Sequence, residues 1–391
     1  MPVAVVRCES YEREEVFAAV GRALEAIGGL GRLPKGTVLI KPNLLTPSKP
    51  ESAVCTHPEV VRAVVRHLKR AGFTDILVGD SPGFGSARGV ARTAGILDVC
   101  REEGVRLVEF DTVVEATLPR GREVRRLPMA RVALEADCII NLAKLKTHSL
   151  TGFTGGVKNL FGCVPGRNKA TLHLRLRHPR HLSAMFLDLY DLLRPSLTLM
   201  DGVVAMEGPG PRNGSPRPLG FILASPDALA VDSVACGIIG LDPFRVWTNQ
   251  LGAARGLGTV DLREIEVAGD LGPGTAAERL KEVTVHDFRQ APSPSALSRN
   301  LVGFASELFH RHLALRPEIR DDRCKACGVC ADHCPPEAIT MGELASIDHG
   351  RCVLCYCCQE LCPYDAVELE APPLARLLSR RGRVDRRANQ N

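Results

Sequence analysis

Aromatic side chains make up only 4% of this 391-residue sequence, and there is a single tryptophan. No basic–aromatic stripe is present, so a base-stacking platform for nucleic acid is not expected. No apolar run approaches the roughly 18 residues of a membrane span. The opening Met1-Pro-Val-Ala-Val-Val-Arg-Cys8 has no apolar export core, which points to a cytoplasmic protein. Six cysteines (Cys8, Cys55, Cys100, Cys138, Cys163 and Cys236) are scattered singly, as free thiols in a reducing compartment would be. Lysine is scarce too, with ten residues against forty arginines.

The other nine cysteines are concentrated. They read Cys324-x2-Cys327-x2-Cys330-x3-Cys334-Pro335 and, 28 residues later, Cys352-x2-Cys355-x2-Cys358-x3-Cys362-Pro363, with Cys357 as a surplus thiol. The same shift lays Ile319, Arg323 and Ala338 over Ile347, Arg351 and Ala366. Zinc sites usually arrive as two separated Cys-x-x-Cys pairs, and disulfides need an exporting context. The doubled pattern resembles the bacterial two-cluster ferredoxin. That resemblance implies two [4Fe–4S] clusters, each taking three thiolates from one loop and the fourth from the other half. One would use Cys324, Cys327, Cys330 and Cys362; the other would use Cys352, Cys355, Cys358 and Cys334.

Charge is unevenly distributed. Residues 317–372 hold eleven Asp or Glu against four Lys or Arg, a balance of −7, while residues 1–316 carry +7. An acidic electron-transfer module beside a basic body favours mutual docking or the steering of anionic ligands.

The first 290 residues alternate strand and helix signals. Short β-branched or apolar runs fall at Val3–Val6, Thr37–Ile40, Asp75–Val78, Val105–Val108, Cys138–Leu142, Leu197–Met200 and Phe221–Leu223. Helical periodicity falls at 12–27, from Thr56 or His57 to Leu68, and at 181–193, 226–239 and 244–255. The expected fold class is α/β, a layered and largely parallel sheet, followed by a small α+β ferredoxin domain. The expected boundaries are 1–289 for the α/β domain, 290–316 for a linker and amphipathic helix, 317–372 for the cysteine domain and 373–391 for a basic tail.

Ligands of open parallel sheets sit beyond the carboxyl ends of the strands. Lys41-Pro42-Asn43, Asp80-Ser81-Pro82-Gly83 and Asp201-Gly202 fall at such ends. The densest stretch runs from Asn141 through Lys144, Lys146 and His148 to Gly155, Gly156, Lys158 and Asn159. Four of the ten lysines (Lys144, Lys146, Lys158 and Lys169) lie within 26 residues. An ammonium whose pKa shifts readily suits acid–base work that a guanidinium cannot do. Gly155-Gly156 before a short helix would free backbone N–H groups for an anion. The expected catalytic residues are Lys146, His148, Lys158 and Asp80, and the expected substrate contacts are Lys41, Asn43, Lys144, Gly155, Gly156, Asn159 and Asp201. These are expected to line one partly exposed crevice for a small anionic substrate. Gly83-x-Gly85-x-x-x-Gly89 invites a dinucleotide reading with Glu109 as ribose partner, although its third glycine is one position late. Gly208–Gly214 reads as a turn-rich loop or a lid.

Together Lys41-Pro-Asn43, Thr56-His57-Pro58-Glu59, Gly79-Asp80-Ser81-Pro82, Lys144-x-Lys146-Thr147-His148 and Gly156-Val-Lys158-Asn159-Leu-Phe-Gly162 resemble the domain-of-unknown-function family 362, in which fusion to a two-cluster ferredoxin is common. Asp201-Gly202 and Asp232 also fit. The resemblance adds architecture without naming a substrate. It leaves an oxidoreductase that passes electrons between a redox partner and a small anion, or a non-catalytic electron-transfer or accessory subunit whose α/β domain docks a partner. Non-redox chemistry with structural clusters is a third reading.

Overall fold

The computed structural model describes residues 2–166, 168–291 and 314–372. The chain divides into two compact units, a large one of Met1–Leu172 with His178–Ala291 and a small one that carries the cysteine repeat. The expected helix at 296–315, apart from Ala314 and Leu315, and the basic tail lie outside the described residues. Among the described residues no helix is long and apolar enough to cross a membrane.

In the large unit, β1 (Val3–Arg7) leads to a helix at Arg13–Ala26, and β2 (Val38–Pro42) leads to a helix at Pro58–Arg70. Two short helices join β3 (Ile76–Asp80) to β4 (Arg106–Glu109). A hairpin of β5 (Val113–Thr117) and β6 (Arg126–Ala130) precedes β7 (Cys138–His148) and β8 (Gly152–Thr154). The unit is completed by β9 (Leu197–Glu207), β10 (Ser215–Ser225), β11 (Glu266–Gly269) and β12 (Gly274–Thr275). Ten of these strands form one sheet in the order β12-β11-β1-β10-β9-β7-β2-β3-β4, with β8 on β7. The run from β4 to β9 is parallel throughout. Strand β10 is antiparallel to both β9 and β1. This is the α/β class that the alternation of signals implies.

The two-residue period of a strand divides the core. Ala4 and Val6 share one apolar layer with Val16 and Val20 of the first helix and Val61 and Val64 of the second. Val3 and Val5 share the other with Val231, Val234 and Ala235 of the helix Ala228–Ile238. Apolar side chains on both faces make the central strands near-continuous hydrophobic runs. The helix Pro58–Arg70 starts where expected, with Pro58 in its first turn and the His57 Nδ1 accepting from the Glu59 N–H at 3.3 Å.

The chain builds outward from β2 to β3 and β4, then returns to the other side of β2 with β7 and β9. The reversal makes the β2–β7 boundary the topological switch point, where Lys41 is level with Asn141 and Pro42 with Leu142. Three strands are much longer than the sequence expectation, β10 among them at Ser215–Ser225 in place of Phe221–Leu223. The apolar runs of β7 and β9 stop near Leu142 and Met200, yet both strands continue for several residues. They continue because the polar side chains beyond those points find buried partners and because β8 and β10 supply backbone pairing.

The small unit is built from β13 (Arg316–Ile319), β14 (Ile339–Met341), β15 (Ala345–Ile347) and β16 (Val367–Glu370). The first strand pairs with the last and the middle two pair together, so the two sequence halves interleave. The 28-residue shift holds in the backbone. Ala326 and Leu354 are left-handed, as are Gly328 and Tyr356, and Glu337 and Asp365. The short helices Val329–Asp332 and Cys357–Leu361 start 28 residues apart. Cys324 N–H donates to Arg320 O, and Cys352 N–H to Asp348 O, both at 2.9 Å.

Candidate functional site: a buried lysine network and two thiol cavities

Lys41, at the end of β2, lies 2.9 Å from Asp80 at the end of β3. Its ammonium also donates to Pro42 O at 2.9 Å and to Asn159 Oδ1 at 3.3 Å. Asn159 Nδ2 donates to Asn141 Oδ1 at 2.8 Å, and Asn43 Nδ2 donates to Asn159 Oδ1 at 3.0 Å. Lys146 donates to Asn43 Oδ1 at 3.0 Å and Val54 O at 2.7 Å. Asp80 is saturated further by the N–H groups of Leu44 and Ser81, each at 2.8 Å. Gly162 packs against this pair so closely that a Cβ there would collide with the Asp80 carboxylate.

A second ion pair sits one strand over. Lys144 lies 2.8 Å from Asp201 and donates to Tyr11 Oη, also at 2.8 Å. Tyr11 O–H donates to Asp201 Oδ1 at 2.7 Å, and the His57 N–H donates to Asp201 Oδ2 at 3.0 Å. The Tyr11 and His57 rings stack with centroids 3.5 Å apart. Burial lowers the Lys144 pKa against the pull of Asp201. Burial also takes His57 down to about 4, so it is neutral at pH 7. The Tyr11 hydroxyl is raised well above its ordinary value by burial and by Asp201.

Lys41, Asn43, Asp80, Lys144, Lys146, Asn159 and Asp201 thus meet at one edge of the sheet, but the expectation of partial exposure needs correction. Lys41 and Asp201 are 0% exposed, Lys144 and Lys146 are 1% exposed, and Asp80 is 2% exposed. Ion pairing makes that burial tolerable for Lys41 with Asp80 and Lys144 with Asp201, and Lys146 is met by the oxygens of Asn43 and Val54. His148 lies four residues beyond Lys144 along β7, where its Nδ1 accepts from the Leu150 N–H at 3.1 Å. Lys158 is half-buried, with its ammonium 5.7 Å from the Phe186 ring centroid.

The N–H groups around Gly155 and Gly156 already face a carboxyl of the chain's own. Asp232 accepts from Gly156 N–H at 2.5 Å and from Val157 N–H at 3.1 Å, and a Cβ at Gly155 would strike its carboxylate. Burial raises Asp232 to about 7 despite those two donors. The glycine-rich 83–89 loop also uses its donors internally: Ser86 Oγ accepts from Gly89 N–H at 3.0 Å, and Glu109 accepts from Arg88 N–H at 3.2 Å. The Gly208–Gly214 loop is tied down, since Gly210 O accepts from the Ser149 N–H and Oγ–H, and Gly208 N–H donates to Arg289 O.

Sequence reasoning missed Tyr11, a lone aromatic before a helix with no motif around it. It placed Lys169 in the lysine cluster but gave it no site role; its ammonium donates to Ser81 O at 2.5 Å and Pro82 O at 3.1 Å. Burial lowers Lys169 to about 8, Asp80 opposes that shift, and Lys41 and Lys158 add to it.

In the small unit the thiols surround two cavities. One is lined by Cys324, Cys327, Cys330 and Cys362. The other is lined by Cys334, Cys352, Cys355 and Cys358. Strand interleaving places the Cys-Pro cysteine of each half at the other half's cavity. Ala338 N–H donates to Cys334 Sγ at 3.2 Å, and Ala366 N–H donates to Cys362 Sγ at 3.3 Å. Such amide donors stabilise thiolates around an iron–sulfur group. Among the described residues no group of three or more His, Cys, Asp or Glu is set to hold a single metal ion. Thiols spaced around a cavity fit a multi-iron cluster. Cys357 occupies the position that Val329 has in the first half, and it lines the second cavity with Tyr356.

Residues 38–237 match the family described as Domain of unknown function (DUF362), and residues 323–366 match a 4Fe-4S dicluster domain. A thylakoid-associated protein, sll1697, of Synechocystis is 41% identical over 249 residues, which is 63% of this chain and 77% of that protein. Two solved structures are similar at 16% identity and a TM-score of 0.36. One is a Thermotoga maritima protein, with 55% of this chain and 56% of that one covered. The other is the lactate racemase apoprotein of Thermoanaerobacterium thermosaccharolyticum, with 53% and 51% covered. The chain spans about half the length of each of those structures.

Proposed function

This chain belongs to the domain-of-unknown-function family 362 and carries a [4Fe–4S]-binding module, and we propose that it is a cytoplasmic oxidoreductase with two such clusters. In this reading it passes electrons between a redox partner and a small anionic substrate at the switch point of the sheet. The observation that carries the reading is the pair of cavities, each lined by three thiols of one Cys-x2-Cys-x2-Cys loop and the Cys-Pro thiol of the other half, with Cys357 as a fifth at the second. The clusters, when bound, supply one-electron transfer.

The chain's own residues would do the rest. Cys324, Cys327, Cys330 and Cys362 hold one cluster; Cys334, Cys352, Cys355 and Cys358 hold the other. Lys144 has a depressed pKa and lies in contact with Tyr11, so it is suited to hold or release the proton that accompanies electron delivery. Lys41, Lys146 and Lys158 supply positive charge for an anion, Asp80 and Asp201 hold two of the ammonium groups in place, and His148 terminates the strand on which Lys144 and Lys146 sit.

The burial of both ion pairs favours a second reading, an electron-transfer or accessory subunit in which the lysine network is structural. The deciding experiment mixes anaerobically reduced protein with a metabolite panel and follows the cluster absorbance. Reoxidation that depends on one small anion, and that is lost in Lys144→Ala, supports the oxidoreductase. If no compound in the panel reoxidises the clusters while an external electron carrier does, the subunit reading replaces it.

A further inference from the structure

We infer that the two thiol cavities hold clusters of unequal reduction potential, and that the one lined by Cys324, Cys327, Cys330 and Cys362 is reduced first. The inference rests on the two-cluster reading above.

The cavity walls correspond almost residue for residue under the 28-residue shift. Ile319 in the first matches Ile347 in the second, Pro363 matches Pro335, and Ala366 matches Ala338. The duplication therefore built two near-identical holders. Besides small apolar exchanges such as Val367 for Ile339, three matched positions depart from that symmetry. Lys325 in the first wall stands against Val353 in the second, Gly328 against Tyr356, and Tyr364 against Pro336.

The departures all act in one direction. The exposed Lys325 is among the residues lining the first cavity, whereas no Lys, Arg, Asp or Glu lines the second. Cys327 is exposed at the first, and Tyr364 beside it is 47% exposed. At the second, Cys355 is buried and Tyr356 is 1% exposed, with its hydroxyl donating to Leu315 O at 2.9 Å. Adding an electron adds negative charge, which a nearby cation and solvent stabilise and an apolar wall does not.

One feature opposes this order. Cys357 is hydrogen-bonded to Cys355, and a donor to a ligand sulfur raises a cluster's potential. A thiol is a weak donor, whereas the first cavity has a lysine at its rim and an exposed ligand cysteine, Cys327. The cation and the solvent win.

The test is a reductive titration of the full chain followed by electron paramagnetic resonance, after iron and acid-labile sulfide have been counted. Wild-type protein is expected to show two half-reduction points whose one-electron equilibrium constants differ at least tenfold, about 59 mV. Lys325→Val should lower only the higher point, and Val353→Lys should raise only the lower one. Cys357→Val should lower the lower point further. Coincident points in the wild type overturn the inference and leave the two-cluster reading standing. A shift of the lower point by Lys325→Val also overturns it, because the order is then reversed. A preparation that saturates at a single cluster overturns the two-cluster reading, and the inference falls with it.

Discussion

Asp232, inside a helix, holds the backbone of Gly156 in a different segment 76 residues away, with 2.5 Å between Oδ1 and the amide nitrogen. The contact fixes the turn that follows β8 and fills the anion position at the start of the next helix from within. A buried carboxyl with a pKa near 7 also couples this contact to pH.

Asp232 should therefore give the large unit a recognisable stability curve. The folded carboxyl keeps its proton up to about pH 7, while its ordinary value is 3.8. Between those values the folded state binds more protons, so stability is greatest below the window and falls as pH rises through it. The slope is at most about 1.4 kcal/mol per pH unit. Asp232→Asn removes this titration, and its denaturation midpoint should vary less across the same range. A wild-type curve no steeper than that of the variant would count against the assignment.

The Lys144–Asp201 pair should behave as a buried ion pair. Asp201→Ala leaves an ammonium without its counter-ion and should cost roughly 3–5 kcal/mol in urea unfolding. Tyr11→Phe removes one hydroxyl shared by both partners and should cost about 1–3 kcal/mol. The double replacement Lys144→Met with Asp201→Leu should be milder than Asp201→Ala alone. If it is worse, the pair is worth more than its desolvation and the network is held together chiefly by charge.

Lys146→Ala should lower both ligand affinity and stability, because its ammonium bonds to Asn43 Oδ1 and Val54 O in the interior. The loss is expected near 1.5–3 kcal/mol. Half-buried Lys158 can be removed with a smaller effect on the melting temperature. Equal melting temperatures for Lys146→Ala and wild type would show that those two bonds are not needed for folding.

Anaerobic protein should contain eight irons per chain. Cys334→Ser should damage the cluster held by the Cys352 loop, and Cys362→Ser the one held by the Cys324 loop, as read by iron content and paramagnetic resonance. Cys357→Ser should retain both. Damage confined to the mutated half would refute the crossover.

Residues 1–291 expressed alone should fold cooperatively, because both apolar layers and all ten strands of the large sheet lie within them. Circular dichroism and a denaturant melt decide this. A molten or insoluble fragment would place the domain boundary elsewhere.

The cysteine half was the most legible part of the sequence, since ligand spacing and a 28-residue repeat are both local signals. Strand starts such as Val38 and Cys138 were legible from apolar runs. Strand ends were not: Lys144, Lys146 and Asp201 look like loop residues until a neighbouring strand supplies their partners. The β5–β6 hairpin was missed because one of its strands, Val113–Thr117, is short and largely exposed, with its Val113-Val114 run broken at once by Glu115. Tyr11 and Asp232 act across 190 and 76 residues, respectively, and only the topology of the sheet brings those distances together.

Among the described residues of the small unit, five that are not glycine hold left-handed backbone: Ala326, Glu337, Leu354, Tyr356 and Asp365. Each costs on the order of 1 kcal/mol, and the apolar cluster of Cys362, Ala366 and Val367 is small. Ligation of iron would have to offset that cost, as it does in other domains whose folding depends on a metal. In a cell starved of iron, the chain would be a folded body with a protease-sensitive appendage. Its turnover, and with it its abundance, would then follow the iron supply. Limited digestion of iron-free protein should cut first within residues 314–372, and restoring iron and sulfide should abolish those cuts.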